Sequence, residues 1–172
     1  MKKIKLPKKD IYDLASVLAS IVREKSEELD FKEVINLQKT VNYLVSTVQD
    51  FSDKYEKIGK EKQSLVDVSN KKIASFKEKL QKTTEKDGEI DKEYKDKLDS
   101  FVQMVLDEAN AHIAKEISPQ YEELYGEFGN KEVEFELEEE KHSALVSNFE
   151  KHAKEKYVNK NSMVAVYETL TG

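Results

Sequence analysis

Apolar residues recur along this chain with two distinct periods. Over 34–58 they fall at Val34, Leu37, Val41, Leu44, Val48, Phe51, Tyr55 and Ile58, in the alternating steps of three and four that define a heptad seam. A helix from Phe31 to Ile58 at ~1.5 Å per residue is about 42 Å long. Asp30 and Glu33, three apart, predict a capping box at its start. Upstream, Lys3 to Leu6 alternates apolar and basic ahead of Pro7, as a short edge strand does. Asp10 then stands as a cap before Ile11, Leu14, Leu18, Ile21, Val22 and Leu29 at helical spacing. Beyond Gly59 the rhythm resumes through Leu65, Val66, Ile73, Phe76 and Leu80, so the helix is expected to continue past a glycine that costs about 1 kcal/mol. The polar run Thr83 to Glu89, with Asp87-Gly88, predicts a turn. Ile90, Tyr94, Leu98, Phe101, Val105, Ala109 and Ile113 predict a returning helix that ends near Ser118-Pro119. Two long helices joined by a short turn pack antiparallel, as a hairpin.

The pattern changes after Pro119. Tyr121, Leu124, Tyr125 and Phe128 form an aromatic patch that stops at Gly129-Asn130. Val133, Phe135 and Leu137 then alternate with Glu132, Glu134 and Glu136, which predicts a strand with one buried face. Leu145, Val146, Phe149 and Ala153 predict a helix, Asn159 to Ser162 a polar break, and the β-branched and aromatic run Met163 to Leu170 a last strand. The expected fold is α+β, mainly α: a long, coiled-coil-like antiparallel helical hairpin on a small sheet-plus-helix base. Residues 1–30 supply the strand and helix of the base, 31–118 the hairpin arm, and 119–172 a strand–helix–strand remainder.

Composition narrows the classes. The 172 residues include five Gly, two Pro and no Cys, too few turn formers for an all-β protein, with no disulfide framework or thiolate site. MKKIKLPKKD lacks the apolar run of a signal peptide, and no stretch approaches the ~20 apolar residues of a membrane span. A soluble intracellular chain is expected. The net charge of −6 is uneven: residues 1–86 carry 19 basic and 14 acidic side chains, residues 87–172 carry 10 and 21.

Candidate chemistry is sparse. Glu139-x-x-His142 has the spacing of carboxylate-bridged metal helices, but Phe149 stands where a second copy before His152 needs a glutamate. Glu108, His112 and Glu116 share a helix face and read as solvated. There is no serine elbow and no phosphate-cradling glycine loop, so neither enzymatic activity nor a cofactor is expected. Lys2, Lys3, Lys5, Lys8 and Lys9 read as an edge-strand guard rather than a nucleic-acid contact. From Gln120 to Glu140 there are nine glutamates and one lysine. Glu132, Glu134 and Glu136 recur at roughly 6.6 Å along one strand face, similar to successive phosphates, so this face is a candidate decoy for a basic nucleic-acid-binding protein as well as a plain solvent face. The candidate partner-binding residues are Glu132, Glu134, Glu136, Glu138 and Glu139, with Tyr121, Tyr125 and Phe128 as an aromatic docking patch or as core. The heptad seam is filled either by the returning helix or by a second copy of the chain.

The KIKLPKKDI strand and helix, the LDFKEVINLQKTVNYL…FSDKYEKIGKE helix and the KEVEFELEEEKHSAL strand-to-helix entry resemble, in order of elements, small uncharacterised proteins of tailed bacteriophages. The resemblance implies a phage or prophage origin, action in the cytoplasm of a bacterial host, and a role in virion assembly or host manipulation. Two expectations follow. One is a host-directed inhibitor or adaptor that binds a protein through its acidic face; the other is an assembly component that oligomerises through its hairpin.

Overall fold

The computed structural model describes the backbone of residues 1–84, 92–152 and 160–172, and the side chains of residues 1–82, 93–152 and 163–172. The fold is mainly α with one two-stranded sheet, the α+β class expected. Strand β1 (Lys2–Pro7) leads into α1 (Lys8–Glu24), α2 (Phe31–Thr47) and the long α3 (Gln49–Thr84). After α4 (Lys92–His112) a π turn (Ile113–Ile117), α5 (Ser118–Glu123) and a second π turn (Leu124–Phe128) run on to β2 (Glu132–Leu137), α6 (Glu139–Lys151) and α7 (Lys160–Thr171). The chain divides into two compact units, Met1–Lys54 with Glu123–Gly172, and Tyr55–Glu122.

In the first unit β1 and β2 pair antiparallel, with Ile4 opposite Phe135 and Leu6 opposite Val133. Alternation sends Ile4, Leu6, Phe135 and Leu137 into the core, where they meet Ile11, Leu14, Leu18 and Ile21 from α1, Leu37 and Leu44 from α2, and Leu145 and Phe149 from α6. The final segment corrects the expected last strand: Met163 to Leu170 lies in the helix α7, and Lys160 to Ser162 of the expected break are helical as well. Met163, Val166 and Leu170 are the buried positions. Their spacing of three and four is helical, and this packing outweighs the β-propensity of the valines. The end of α7 is held by Lys2 Nζ and His142 Nε2, which donate to the Leu170 carbonyl at 2.9 and 2.8 Å. Ala153 and Asn159 lie outside the described residues.

The heptad seam exists but does not lie on one helix. Leu37, Val41, Leu44, Val48, Phe51 and Ile58 are all buried, yet the helix breaks at Val48, whose φ of −127° and ψ of 35° close α2. Ser46 and Thr47 explain the break, since their hydroxyls donate to the Tyr43 and Leu44 carbonyls at 2.6 and 2.7 Å and so compete with the helical ladder among β-branched neighbours. The first half of the seam therefore packs on α1 and α6, and α2 belongs to the first unit, whereas the sequence pattern placed 31–58 wholly in the hairpin. The capping box forms as expected: Glu33 N–H donates to Asp30 and Asp30 N–H to Glu33, at 2.9 and 3.1 Å. Asp10 is not a cap. Helix α1 begins two residues earlier, behind Pro7, and Asp10 sits in its first turn.

The second unit is an antiparallel helix pair. Facing contacts step in opposite directions along the two helices: Tyr55 on Tyr121, Gln120 to Glu61, Lys72 to Glu108, and Phe76 on Phe101. Helix α3 runs through Gly59 unbroken. The expected turn, from residue 85 onward, and Ile90 lie outside the described residues. Pro119 does not end the returning helix as its lack of an N–H suggested. The Ser118 N–H reaches back five residues to the Ile113 carbonyl, and this widened π turn places Pro119 at the start of a new helical segment, where a missing donor is tolerated.

Candidate protein-binding surfaces

The acidic ladder and the lysine cluster, widely separated in the sequence, face each other across the sheet. Lys5 Nζ lies 2.6 Å from Glu132, and Lys3 Nζ lies 3.4 Å from Glu136 and 3.7 Å from Glu134. Glu132 both hydrogen-bonds and attracts Lys5, which raises the lysine's pKa above its ordinary value. These pairs are solvent-exposed and screened by water, so they add little to stability. They nevertheless offset two of the three negative charges along the face offered as a decoy. Glu138 pairs with Lys141 at 3.1 Å, Glu140 with Lys32 at 3.1 Å, and Glu139 is exposed in the first turn of α6.

The aromatic patch divides between the two units. Tyr121 lies against Tyr55, ring centroids 5.4 Å apart, in the helix pair. Tyr125 and Phe128 belong to the first unit and pack around the fully buried Phe51, Tyr125 edge-on at 5.4 Å and Phe128 nearly parallel at 6.4 Å. The Tyr125 hydroxyl donates to Asp13 Oδ1 at 3.1 Å. Burial pushes the Asp13 carboxyl above the ordinary carboxylate range; the Tyr125 hydrogen bond and Lys9 oppose this, and Asp10 adds to it. Gly129 closes the patch. A Cβ there would stand 2.7 Å from the Leu124 carbonyl oxygen and 3.1 Å from Phe51 Cε2, so only glycine lets this turn sit against α1 and α3.

The helix pair buries few of its apolar side chains fully. Its described buried residues are Ile58, Ser69, Val105 and Ile117. Leu65, Val66, Ile73, Phe76 and Leu80 on α3, and Tyr94, Leu98, Phe101, Val102 and Ile113 on the return, are half-buried. Phe76 and Phe101 stack at 4.0 Å and with Met104 they line an open groove of about 700 Å³, edged by Glu93, Asp96, Lys97 and Ser100. Met104, Val68 and Leu106 are 55%, 49% and 43% exposed. Sequence reasoning followed the seam and missed these three. Their signal is an apolar side chain on the polar side of an otherwise regular heptad.

Among the described residues no three His, Asp or Glu side chains come together as a metal cluster. Glu108 pairs with Lys72, and His142 bonds the Leu170 carbonyl. Among those residues no helix is long and apolar enough to cross a membrane. No protein-family model, no curated protein and no solved structure matches this chain.

Proposed function

We propose that this chain is a non-enzymatic protein-binding protein whose binding element is the helix pair Tyr55–Glu122, and that its partner there is a second copy of itself. The observation that carries this reading is the half-buried seam. Side chains such as Phe76, Phe101, Leu98 and Ile73 remain partly in water, whereas Leu37, Leu44, Val48 and Phe51, which continue the same seam in the first unit, are at most 1% exposed. Burying such a side chain fully stabilises by roughly 1.5–3 kcal/mol, and a second helix pair laid on the groove supplies that burial. Charge selects the occupant. Residues 55–84 hold eight lysines against four acids, and residues 92–122 hold seven acids against four lysines. Two copies related by a two-fold axis set the basic helix of one against the acidic helix of the other.

The layout resemblance to tailed-phage proteins gives this association a setting, as an assembly component in the cytoplasm of a bacterial host. The alternative, a host-directed adaptor that uses Glu132, Glu134 and Glu136 against a basic protein, has less support because Lys3 and Lys5 already pair with those glutamates and offset two of their three charges.

Light scattering coupled to size-exclusion chromatography tests the reading. The wild type is expected at close to twice the monomer mass at about 100 µM, which needs a Kd of about 1 µM, or about 8 kcal/mol of association. Met104→Glu combined with Val68→Glu is expected to run as a monomer with unchanged helical circular dichroism, since both side chains are solvent-exposed. A wild type that is monomeric at this concentration, or a double variant that still dimerises, overturns it.

A further inference from the structure

Three lysines from three separate parts of the first unit converge on one aromatic ring. The ammonium nitrogens of Lys8, at the start of α1, Lys54, on α3, and Lys131, just before β2, lie 4.6, 5.1 and 5.3 Å from the centroid of Phe128. The arrangement is built by the backbone. The Lys8 N–H donates to the Lys131 carbonyl at 3.0 Å and the Lys9 N–H to the Gly129 carbonyl at 3.1 Å, while Phe128 is anchored on Phe51. A phenyl face attracts a cation by only about 0.5–1 kcal/mol at an exposed site, and one ring cannot satisfy three ammonium groups that repel one another.

One of the three has a carboxylate partner: Lys8 is ion-paired with Asp50. Among the described residues no carboxylate lies within ion-pair distance of Lys54 or Lys131. Three ammonium groups and one carboxylate leave two positive charges at this point, and the N-terminus of the 17-residue α1, at Lys8, adds the positive end of its dipole. We propose that Lys8, Lys54 and Lys131, gathered over Phe128, bind a dianionic phosphoryl group. A phosphate monoester carries about −1.5 to −2 charges at pH 7 and three acceptor oxygens, which match two unbalanced charges and three donors; a single carboxylate would leave one charge uncompensated. The site lies in the first unit and does not depend on the proposed association of the helix pair.

Nuclear magnetic resonance titration with inorganic phosphate, against sodium chloride at matched ionic strength, tests this on the full chain. The expected result is a saturable shift of the Phe128 ring protons and of the Lys54 and Lys131 amides. Lys54→Gln and Lys131→Gln should each weaken binding by about tenfold, the loss of one charge-assisted hydrogen bond, with unchanged circular dichroism and thermal midpoint. Oligonucleotides with and without a 5′-phosphate distinguish the sources: tighter binding of the phosphorylated one than of free phosphate assigns a nucleic-acid end, and equal binding a free phosphorylated ligand. Absence of a saturable shift beyond that of chloride, or undiminished binding in the double variant, overturns the proposal. So does a hexaglutamate peptide that competes as well as phosphate, since it would make the site one for acidic protein segments.

Discussion

A methyl group added at Gly129 would sit 2.7 Å from the Leu124 carbonyl oxygen and 3.1 Å from Lys9 Cβ and Phe51 Cε2, against groups that cannot yield without moving α1 or the core. Gly129→Ala should therefore destabilise the fold by about 1–3 kcal/mol, the usual cost of overpacking. At Gly59 the nearest atom to an added Cβ is the Tyr121 hydroxyl at 3.9 Å, an ordinary contact, and Gly59→Ala should stabilise by about 1 kcal/mol through helix propensity. Urea unfolding of the two variants checks the opposite signs. Asp13 makes a pH prediction at the same scale. Burial raises its folded pKa above the ordinary 3.8, so its ionised form opposes folding at neutral pH, and that penalty fades as pH falls through the folded value toward 3.8. Asp10 is raised by burial in the same way. Asp13→Asn, which retains an acceptor for the Tyr125 hydroxyl, should raise the thermal midpoint at pH 7, and the gain should shrink as the pH approaches 4. A gain that is the same at pH 7 and pH 4 would show that Asp13 is not penalised by its burial.

Among the elements, the sheet separates burial from charge. Ile4 is buried opposite Phe135, while Lys5 is exposed and paired with Glu132. Ile4→Ala should cost about 2–5 kcal/mol in chemical denaturation, and Lys5→Ala far less, because its ion pair is screened by water. Nearly equal losses would mean that the cross-strand ion pairs, rather than the apolar face, hold β1 in place. How much of each element the sequence disclosed follows from how local its cause is. The capping box at Asp30 and Glu33 and the alternation of β2 are written in neighbouring residues and appear where their patterns predict, and the seam from Leu37 to Ile58 is buried at its predicted positions but on two helices rather than one. The break at Val48 depends on Ser46 and Thr47 hydroxyls turning back onto carbonyls, a choice that heptad rhythm does not encode. In the last segment Met163-Val-Ala-Val-Tyr167 has the composition of a strand, while the helical spacing of Met163, Val166 and Leu170 becomes decisive only once a core exists to receive them. Pro119 has the signature of a helix stop, whereas the π turn before it has no sequence signature of its own.

For the whole molecule, the two charged features of the sequence, the lysine-rich start and the glutamate ladder, meet across the sheet through Lys3 and Lys5. Their pairing was invisible in a linear reading because antiparallel register joins residues about 130 positions apart. That pairing moves the candidate for partner binding from the acidic face to the helix pair, where apolar side chains are half-covered and the two helices carry opposite net charge. The chain has no cysteine, so a Leu106→Cys variant accepts a single spin label at an exposed position of α4 without disturbing other thiols. Pulsed dipolar spectroscopy on that singly labelled protein reports a distance only when two copies meet. Association through the helix pair predicts a defined distance whose modulation falls on dilution with unlabelled chain and disappears when Met104→Glu and Val68→Glu are added; a background decay with no dipolar modulation in the singly labelled protein would contradict it.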